Sequence, residues 1–312
     1  MTMQKPTAPK ISIVTPSYNQ GAFLEETICS VLDQQYASLE YIVIDGGSTD
    51  QSVEIIKRYE KYLKYWVSEP DSGQTQAINK GFQHASGDVY AYLNSDDQYR
   101  QGALQLVAED YLAASDRRRF WKAYVVEMFN SEGLVDTVYP NPDCELATWL
   151  STSFGLLQPG VFWTRAMYEE AGGFDESLHY VFDRDFFMRL LRAGYRYTIS
   201  RDFVAARYRI HEHAKTQRDN TEYRQEYDDC DRAFIESYAI GERKSLNDQI
   251  RKCKALGALA DSDRTGIGRR ARLENLFRAI LSHPPVIGSR QFWRIVRYLP
   301  YPEHQAYSEH QA

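Results

Sequence analysis

Over the first hundred residues, short β-branched runs alternate with longer stretches in which apolar positions recur every three or four residues. That alternation is the pattern of a parallel α/β sheet, strand and helix taking turns. Ile11–Thr15 is predicted as a first strand, and Phe23–Gln34 as a helix with Ile28, Val31 and Leu32 on one face. Tyr41–Ile44, Lys64–Val67 and Val89–Leu93 are the next three predicted strands. Helices are expected between them over Asp50–Tyr62, capped by Ser48 or Asp50, and over Gln74–His84. Each strand runs out into polar residues: Pro16-Ser17-Tyr18-Asn19, Asp45-Gly46-Gly47-Ser48, Glu69-Pro70-Asp71 and Asn94-Ser95-Asp96-Asp97. In an open parallel sheet ligands bind beyond the carboxyl ends of the strands, so these four clusters are expected to converge.

The middle of the chain is less regular. Phe120–Asn130 and Val135–Tyr139 read as a hairpin around Ser131-Glu132-Gly133, Cys144–Ser151 as a short helix, and Gln158–Trp163 as another strand. A helix over Asp183–Ala193 ends at Gly194, and Tyr195–Ile199 and Val204–Ile210 restore strand character in a sheet that has become mixed. Beyond Thr221 helices are expected over Glu222–Tyr238, Arg269–Leu281 and Arg290–Leu299, the last two separated by His283-Pro284-Pro285.

Composition adds two constraints. The 312 residues carry a formal net charge of -6, which disfavours a nucleic-acid binder because phosphate neutralisation needs a basic surface. The charge is uneven: residues 241–300 hold 13 Lys+Arg against 5 Asp+Glu, a net of +8, leaving 24 against 38, a net of -14, elsewhere. The 4 cysteines have no metal-ligand spacing and are expected as reduced, buried thiols. Met1–Lys10 has no apolar leader core and no run of 18 apolar residues occurs, so the expectation is a cytoplasmic protein, or one peripheral at the inner membrane face.

Asp96-Asp97 carries the most chemistry. Adjacent carboxylates repel, and a divalent cation or several donors relieve them. Hard oxygen ligands favour Mg2+ or Mn2+ with positions left for substrate phosphates, and a polar strand-end turn is the competing account. Asp45-Gly46-Gly47-Ser48-Thr49-Asp50 offers an acid beside two glycines that admit a ligand close to the backbone, or simply a tight turn into a helix. Neither a phosphate-loop lysine pattern nor a Gly-x-Gly-x-x-Gly follows the first strand, which disfavours P-loop hydrolases and dinucleotide oxidoreductases.

Three blocks then carry a resemblance: Ile11–Asn19, Ile42–Asp50, and Gly87-Asp88 leading to Leu93–Asp97. Together, in this order and spacing, they resemble the family 2 glycosyltransferases, over roughly residues 10–215. The resemblance implies a GT-A type fold: a Rossmann-like, mostly parallel sheet flanked by helices, here with a C-terminal helical appendage. It divides the chain into a catalytic domain over 1–218, with a nucleotide-sugar half over about 10–100 and an acceptor half over about 101–218, and a basic helical region over 219–312. It implies that Thr15, Pro16 and Tyr18 line the base pocket, that Asp45 accepts a hydrogen bond from the base, that Asp96 contacts ribose or metal, and that Asp97 holds Mn2+ or Mg2+. Gly173-Phe174-Asp175-Glu176 followed by Asp183-Arg184-Asp185 resembles the family segment bearing the catalytic base, assigned to Asp183 with Asp185 as rival. His211, four residues before Lys215, resembles a position that contacts metal or diphosphate. Gln158 shapes the acceptor side, where Trp163 either stacks on a sugar or fills the core. Where many members carry an arginine, Ile78-Asn79-Lys80 has none, so Lys80 is the expected cation near the diphosphate.

The implied activity is a metal-dependent, inverting transfer from a nucleoside diphosphate sugar, UDP-sugar favoured, to a saccharide or lipid-linked hydroxyl in bacterial polysaccharide or glycolipid assembly. A nucleotidyltransferase and a catalytically silent nucleotide- or carbohydrate-binding module are the alternatives, separable by product: nucleoside diphosphate, pyrophosphate, or nothing. The basic tail, in which Leu273, Leu276, Phe277, Ile280 and Leu281 interleave with arginines, suits an anionic membrane surface, or packing and homodimerisation.

Overall fold

The computed structural model describes residues 8–151, 156–212, 214–215, 221–262 and 269–289, together with 292, 293 and 295. It groups into two compact units: Met1–Leu146 with Phe154–Phe234, and Ala147–Ser153 with Ile235–Ala312. The first unit therefore runs past the boundary expected at residue 218.

In the first unit the strands β1 (Ile11–Ser17), β2 (Leu39–Asp45), β3 (Tyr65–Ser68) and β4 (Val89–Tyr92) alternate with α1 (Leu24–Leu32), α2 (Ser52–Tyr59) and α3 (Gln74–Gln83). There follow β5 (Gln98–Tyr99), α4 (Ala103–Ala113), the hairpin β6 (Trp121–Asn130) and β7 (Gly133–Val138), and then α5 (Leu146–Trp149), of which Leu146 alone belongs to this unit. The chain continues through β8 (Val161–Thr164), α6 (Arg165–Ala171), α7 (Phe182–Arg192), β9 (Thr198–Arg209) and α8 (Thr221–Glu236). Among the described residues these strands form one nine-stranded sheet in the order β3-β2-β1-β4-β8-β6-β9-β5, with β7 also on β6. The first four strands are parallel; β8 is antiparallel to both β4 and β6, and β9 runs parallel to β6. The expected GT-A type architecture, a mainly parallel sheet that turns mixed, is the one present.

Alternation along β4 and β8 sorts the core into two layers. Val89, Ala91 and Phe162 face a layer shared with Ile13, Ile28, Val43, Ile56 and Leu104. On the other face Tyr92 and Trp163 meet Phe82, Phe174, Phe182, Phe186 and Phe187, with ring centroids 4.8–6.4 Å apart in pairs such as Phe174–Phe186 and Phe82–Phe174. Gly81 lets α3 lie directly on β1, because a Cβ there would collide with the Val14 side chain.

Several elements differ from their predicted form. The helix expected from Asp50 starts at Ser52, and Asp50 precedes it with Oδ1 accepting from Ser52 N–H at 2.9 Å. The two strands predicted over 195–210 are the single β9. The strand predicted from Gln158 begins at Val161, after a 3-10 turn over Gln158–Gly160. All four cysteines are free, yet only Cys230 is buried, the others being half-buried.

The second unit contains α9 (Ile240–Ser262), α10 (Arg269–Ser282) and a 3-10 turn over Pro284–Gly288. Its core joins Ala255, Ala258 and Leu259 to Leu276, Ala279 and Val286, small residues that allow close helix approach. The helix predicted over Arg290–Leu299 lies almost wholly outside the described residues. Among the described residues no helix is long and apolar enough to cross a membrane.

Candidate active site

The loops after β1 and β2 are laced together. Asn19, in a left-handed conformation at φ 51°, accepts from Thr49 N–H at 2.9 Å, while its own N–H donates to Ser48 Oγ at 2.8 Å. Gly21 N–H donates to Asp50 at 2.8 Å. Asp45 ends β2 wholly buried and accepts from Gly47 N–H (3.2 Å), Ser48 N–H (2.9 Å), Ser48 Oγ (2.5 Å) and Ser68 Oγ (2.7 Å). These donors make Asp45 the organiser of its own turn, in which Gly47 sits at φ 82°.

Asp71 was overlooked by sequence reasoning, although the polar cluster containing it was visible. It approaches the same turn so closely that a Cβ on Gly46 would lie 2.8 Å from its Oδ2. Its Oδ1 accepts from Gly73 N–H at 2.9 Å. Burial raises its carboxyl above the usual range, and repulsion from Asp45 adds to the rise against that hydrogen bond. Of the residues expected around a base, Thr15 is buried with its hydroxyl 3.1 Å from that of Tyr41, and Pro16 is buried too. Tyr18 is 61% exposed and its ring is available for stacking.

At the end of β4 the two adjacent acids face different ways. Asp97 is wholly buried: its Oδ1 accepts from the backbone N–H of Arg209 at 2.9 Å, and its carbonyl accepts from Thr27 Oγ1 at 2.8 Å. Desolvation, then the charge of Asp96, push the Asp97 carboxyl well above the ordinary range. Asp96 instead meets His211, Oδ2 to Nε2, at 3.0 Å. The expected cation ligand Asp97 thus joins the backbone of β9 to the β4 loop, and the carboxylate beside the histidine is Asp96. Arg209, which no motif flagged, clamps the pair through Nε on the Asp96 carbonyl at 2.9 Å and a guanidinium contact with Glu26 at 2.5 Å.

Asp183 and Asp185 open α7. Asp185 is bound by Arg189 at 2.7 Å, and Arg189 also donates to the carbonyls of Ala171 and Gly173 at 2.5 and 2.8 Å, so this carboxylate ties the helix to the preceding turn. Asp183 is half-buried and accepts from Arg184 N–H at 2.7 Å; burial pushes its carboxyl up to about 6. Lys80 is salt-bridged to Glu69. Lys215 donates to the His179 carbonyl at 2.6 Å and to Gln74 at 3.2 Å, and Gln74 donates to Asn94 at 2.7 Å. Gln158 is buried and donates to the Tyr92 carbonyl at 2.7 Å. Trp163, a possible sugar platform by sequence, is wholly buried among Phe186, Phe187 and Tyr92, so it belongs to the core.

Residues 12–116 match the family described as glycosyl transferase family 2. An uncharacterised glycosyltransferase of Mycobacterium tuberculosis is 32% identical over 184 residues, covering 59% of this chain and 69% of that protein. The chain belongs to the family 2 glycosyltransferases. Membership makes it an enzyme of glycosyl transfer. Among solved structures, residues 1–349 of TarS from S. aureus in complex with UDP-GlcNAc match at a TM-score of 0.59 and 16% identity, over 89% of this chain and 82% of that one. This chain spans about half, 49%, of full-length TarS. The mannosyltransferase PcManGT from Pyrobaculum calidifontis, in complex with GDP-Man and Mn2+, matches at 0.54 and 18% identity, over 93% and 86% of the two chains. At these identities the likeness establishes the fold.

Proposed function

We propose that this glycosyltransferase moves a sugar from a nucleoside diphosphate sugar, a UDP-sugar by preference, to a saccharide or lipid-linked hydroxyl, with inversion and with help from Mn2+ or Mg2+. One observation carries the reading. Phe182, the residue before Asp183, packs on Tyr92 at the end of β4 with ring centroids 5.8 Å apart, so the start of α7 lies against the strand end that leads into Asp96. Strands β1 and β2 run parallel to β4 and end at the same edge in the turns that hold Tyr18 and Asp45.

Asp183 takes the proton of the acceptor hydroxyl as that oxygen bonds to the anomeric carbon, while the bond from that carbon to the diphosphate breaks and the nucleoside diphosphate leaves. A single displacement inverts the centre, and a half-buried carboxylate titrating near neutrality suits the base. Asp96 and His211, a carboxylate and an imidazole, are a donor set that fits Mn2+ or Mg2+ and leaves positions for phosphate oxygens and water. A cation there supplies neutralisation for the departing diphosphate. Tyr18 stacks on the base; Asp71, whose Oδ2 has no donor among the described residues, accepts from the base imide, while Asp45 holds the turn.

Incubation with Mn2+ and a panel of nucleotide sugars tests the reading. Release of free nucleoside diphosphate that stops on chelation supports it, and pyrophosphate release overturns it. Near-normal turnover in Asp183→Asn refutes the base assignment.

A further inference from the structure

The nine residues ahead of α7 form no regular element, yet they deliver Asp183. Their backbone is held at successive points: the Leu178 carbonyl by Thr75 Oγ1 at 2.7 Å, the His179 carbonyl by Lys215, and three consecutive amides by one carboxylate. That carboxylate is Glu226 of α8. Its Oε2 accepts from His179 N–H at 3.0 Å, and its Oε1 accepts from Tyr180 N–H at 2.6 Å and Val181 N–H at 2.9 Å. The last of these amides lies two residues before Asp183.

The rest of α8 is built around the same contact. Tyr223, Glu226, Tyr227, Cys230 and Phe234 lie on its less exposed side at helical spacing. Glu222 accepts from Tyr180 Oη at 2.8 Å. Asp231 holds Arg184, the neighbour of the base, through two bonds at 2.8 and 2.9 Å, and that guanidinium lies over the Tyr227 ring at 4.2 Å. Of these three amides only Val181 belongs to the helix end, as its N-cap; the charge-assisted bonds onto His179 and Tyr180 hold the segment ahead of it, and together they fix the turn that carries Asp183.

We infer that Glu226 is a positioning residue for the reaction, its carboxylate fixing the His179–Val181 backbone and with it the attitude and enclosure of Asp183. The inference rests on the reading of Asp183 as the base. It extends the catalytic machinery into a helix beyond the family motifs.

The test uses the full chain and needs no substrate. Amide exchange at His179, Tyr180 and Val181 is followed in Glu226→Ala and Glu226→Gln, together with the carboxyl carbon resonance of Asp183 against pH. Asp183 is faced by Arg184 on its own helix, by Tyr92 from β4 and by Tyr223 from α8, all retained in both variants. Removing the carboxylate is expected to speed exchange at the three amides at least about tenfold. As water reaches Asp183, its midpoint should fall by about one pH unit from near 6. Glu226→Gln keeps one accepting oxygen and should fall between; it also serves if Glu226→Ala does not fold. An unchanged Asp183 midpoint overturns the inference whether or not the amides exchange faster, since loss of protection alone is what a merely structural carboxylate would give. Retained turnover in Asp183→Asn is a separate result that removes the base reading alone.

Discussion

Asp183 and Asp185 are chemically identical and two residues apart, and their surroundings give them different work. Burial raises both carboxyls, but Arg189 offsets the rise in part at Asp185 and binds it into a strut, whereas Asp183 is raised to about 6 against its backbone hydrogen bonds and the charge of Arg184. A raised carboxyl is protonated below its pKa and cannot then accept a proton, so kcat/KM is expected to fall about tenfold per pH unit below pH 6. A pH profile with the acid limb at the ordinary aspartate value would contradict this. The pair after β4 divides likewise. Asp96→Asn should abolish the stabilisation that Mn2+ and UDP together give in a thermal melt, with the apo melting temperature little changed. Asp97→Ala should instead destabilise the apo protein by about 1–3 kcal/mol and so lower its melting temperature, because it leaves the Arg209 amide without its acceptor. Equal apo melting temperatures for the two variants would refute the division. That an acid pair ends β4 was legible in the sequence. Which of the two faces outward was not, because it depends on an amide 112 residues away along the chain.

At the scale of elements, the alternating pattern marked β1 to β4 and their helices correctly, since each is built from local periodicity. The elements missed have other causes. α9 buries Leu246, Ile250, Ala255, Ala258 and Leu259, but Leu256, Gly257 and Ala260 lie on its exposed side, which leaves little amphipathic contrast. β9 crosses the polar stretch Ser200-Arg201-Asp202 with Arg201 and Asp202 exposed, and its pairing with β6 shifts register there, from Ala123↔Ile199 to Val125↔Val204, so it reads as two strands. At the sheet end away from the site, Glu40 of β2 binds three elements. It accepts from Ser12 Oγ at 2.8 Å and from Ser86 N–H and Oγ, each at 2.7 Å, and meets Lys10 at 3.2 Å. Burial alone would raise this carboxyl, but the Ser86, Ser12 and Lys10 hydrogen bonds outweigh it and hold the group down at about 2. A depressed acid stabilises the fold above its unfolded pKa and loses that contribution as pH falls from there to the folded value. The stability gap between wild type and Glu40→Gln should therefore be up to about 3 kcal/mol at pH 7. It should shrink between pH 4.5 and 2. Urea unfolding at pH 7 and pH 3 measures it, and a gap independent of pH would exclude the charge as its origin.

For the molecule as a whole, the uneven charge of the chain follows its division into units. The acids argued above to handle nucleotide, cation and acceptor lie in the first unit, and the +8 segment over 241–300 lies in the second. Helix α10 buries Leu276 and Ala279, yet it leaves Leu273 45%, Phe277 63% and Leu281 68% exposed. These three, four residues apart, form a second apolar row along one side. Of the two partners expected of this basic segment, an anionic bilayer would take the row among its acyl chains and the cations at its headgroups, and a second copy of the chain would take the row alone. If the row enters a bilayer, replacing both Phe277 and Leu281 by Glu in the full chain removes two exposed apolar side chains that would insert and adds repulsion, so partition onto phosphatidylserine-rich vesicles should fall at least about tenfold. The melting temperature should hold, because neither residue is buried in the fold. Wild-type binding that is equal on neutral and anionic vesicles, or untouched by the double substitution, rules out the bilayer. A concentration-dependent dimer that the double variant dissociates would assign the row to a second copy of the chain instead.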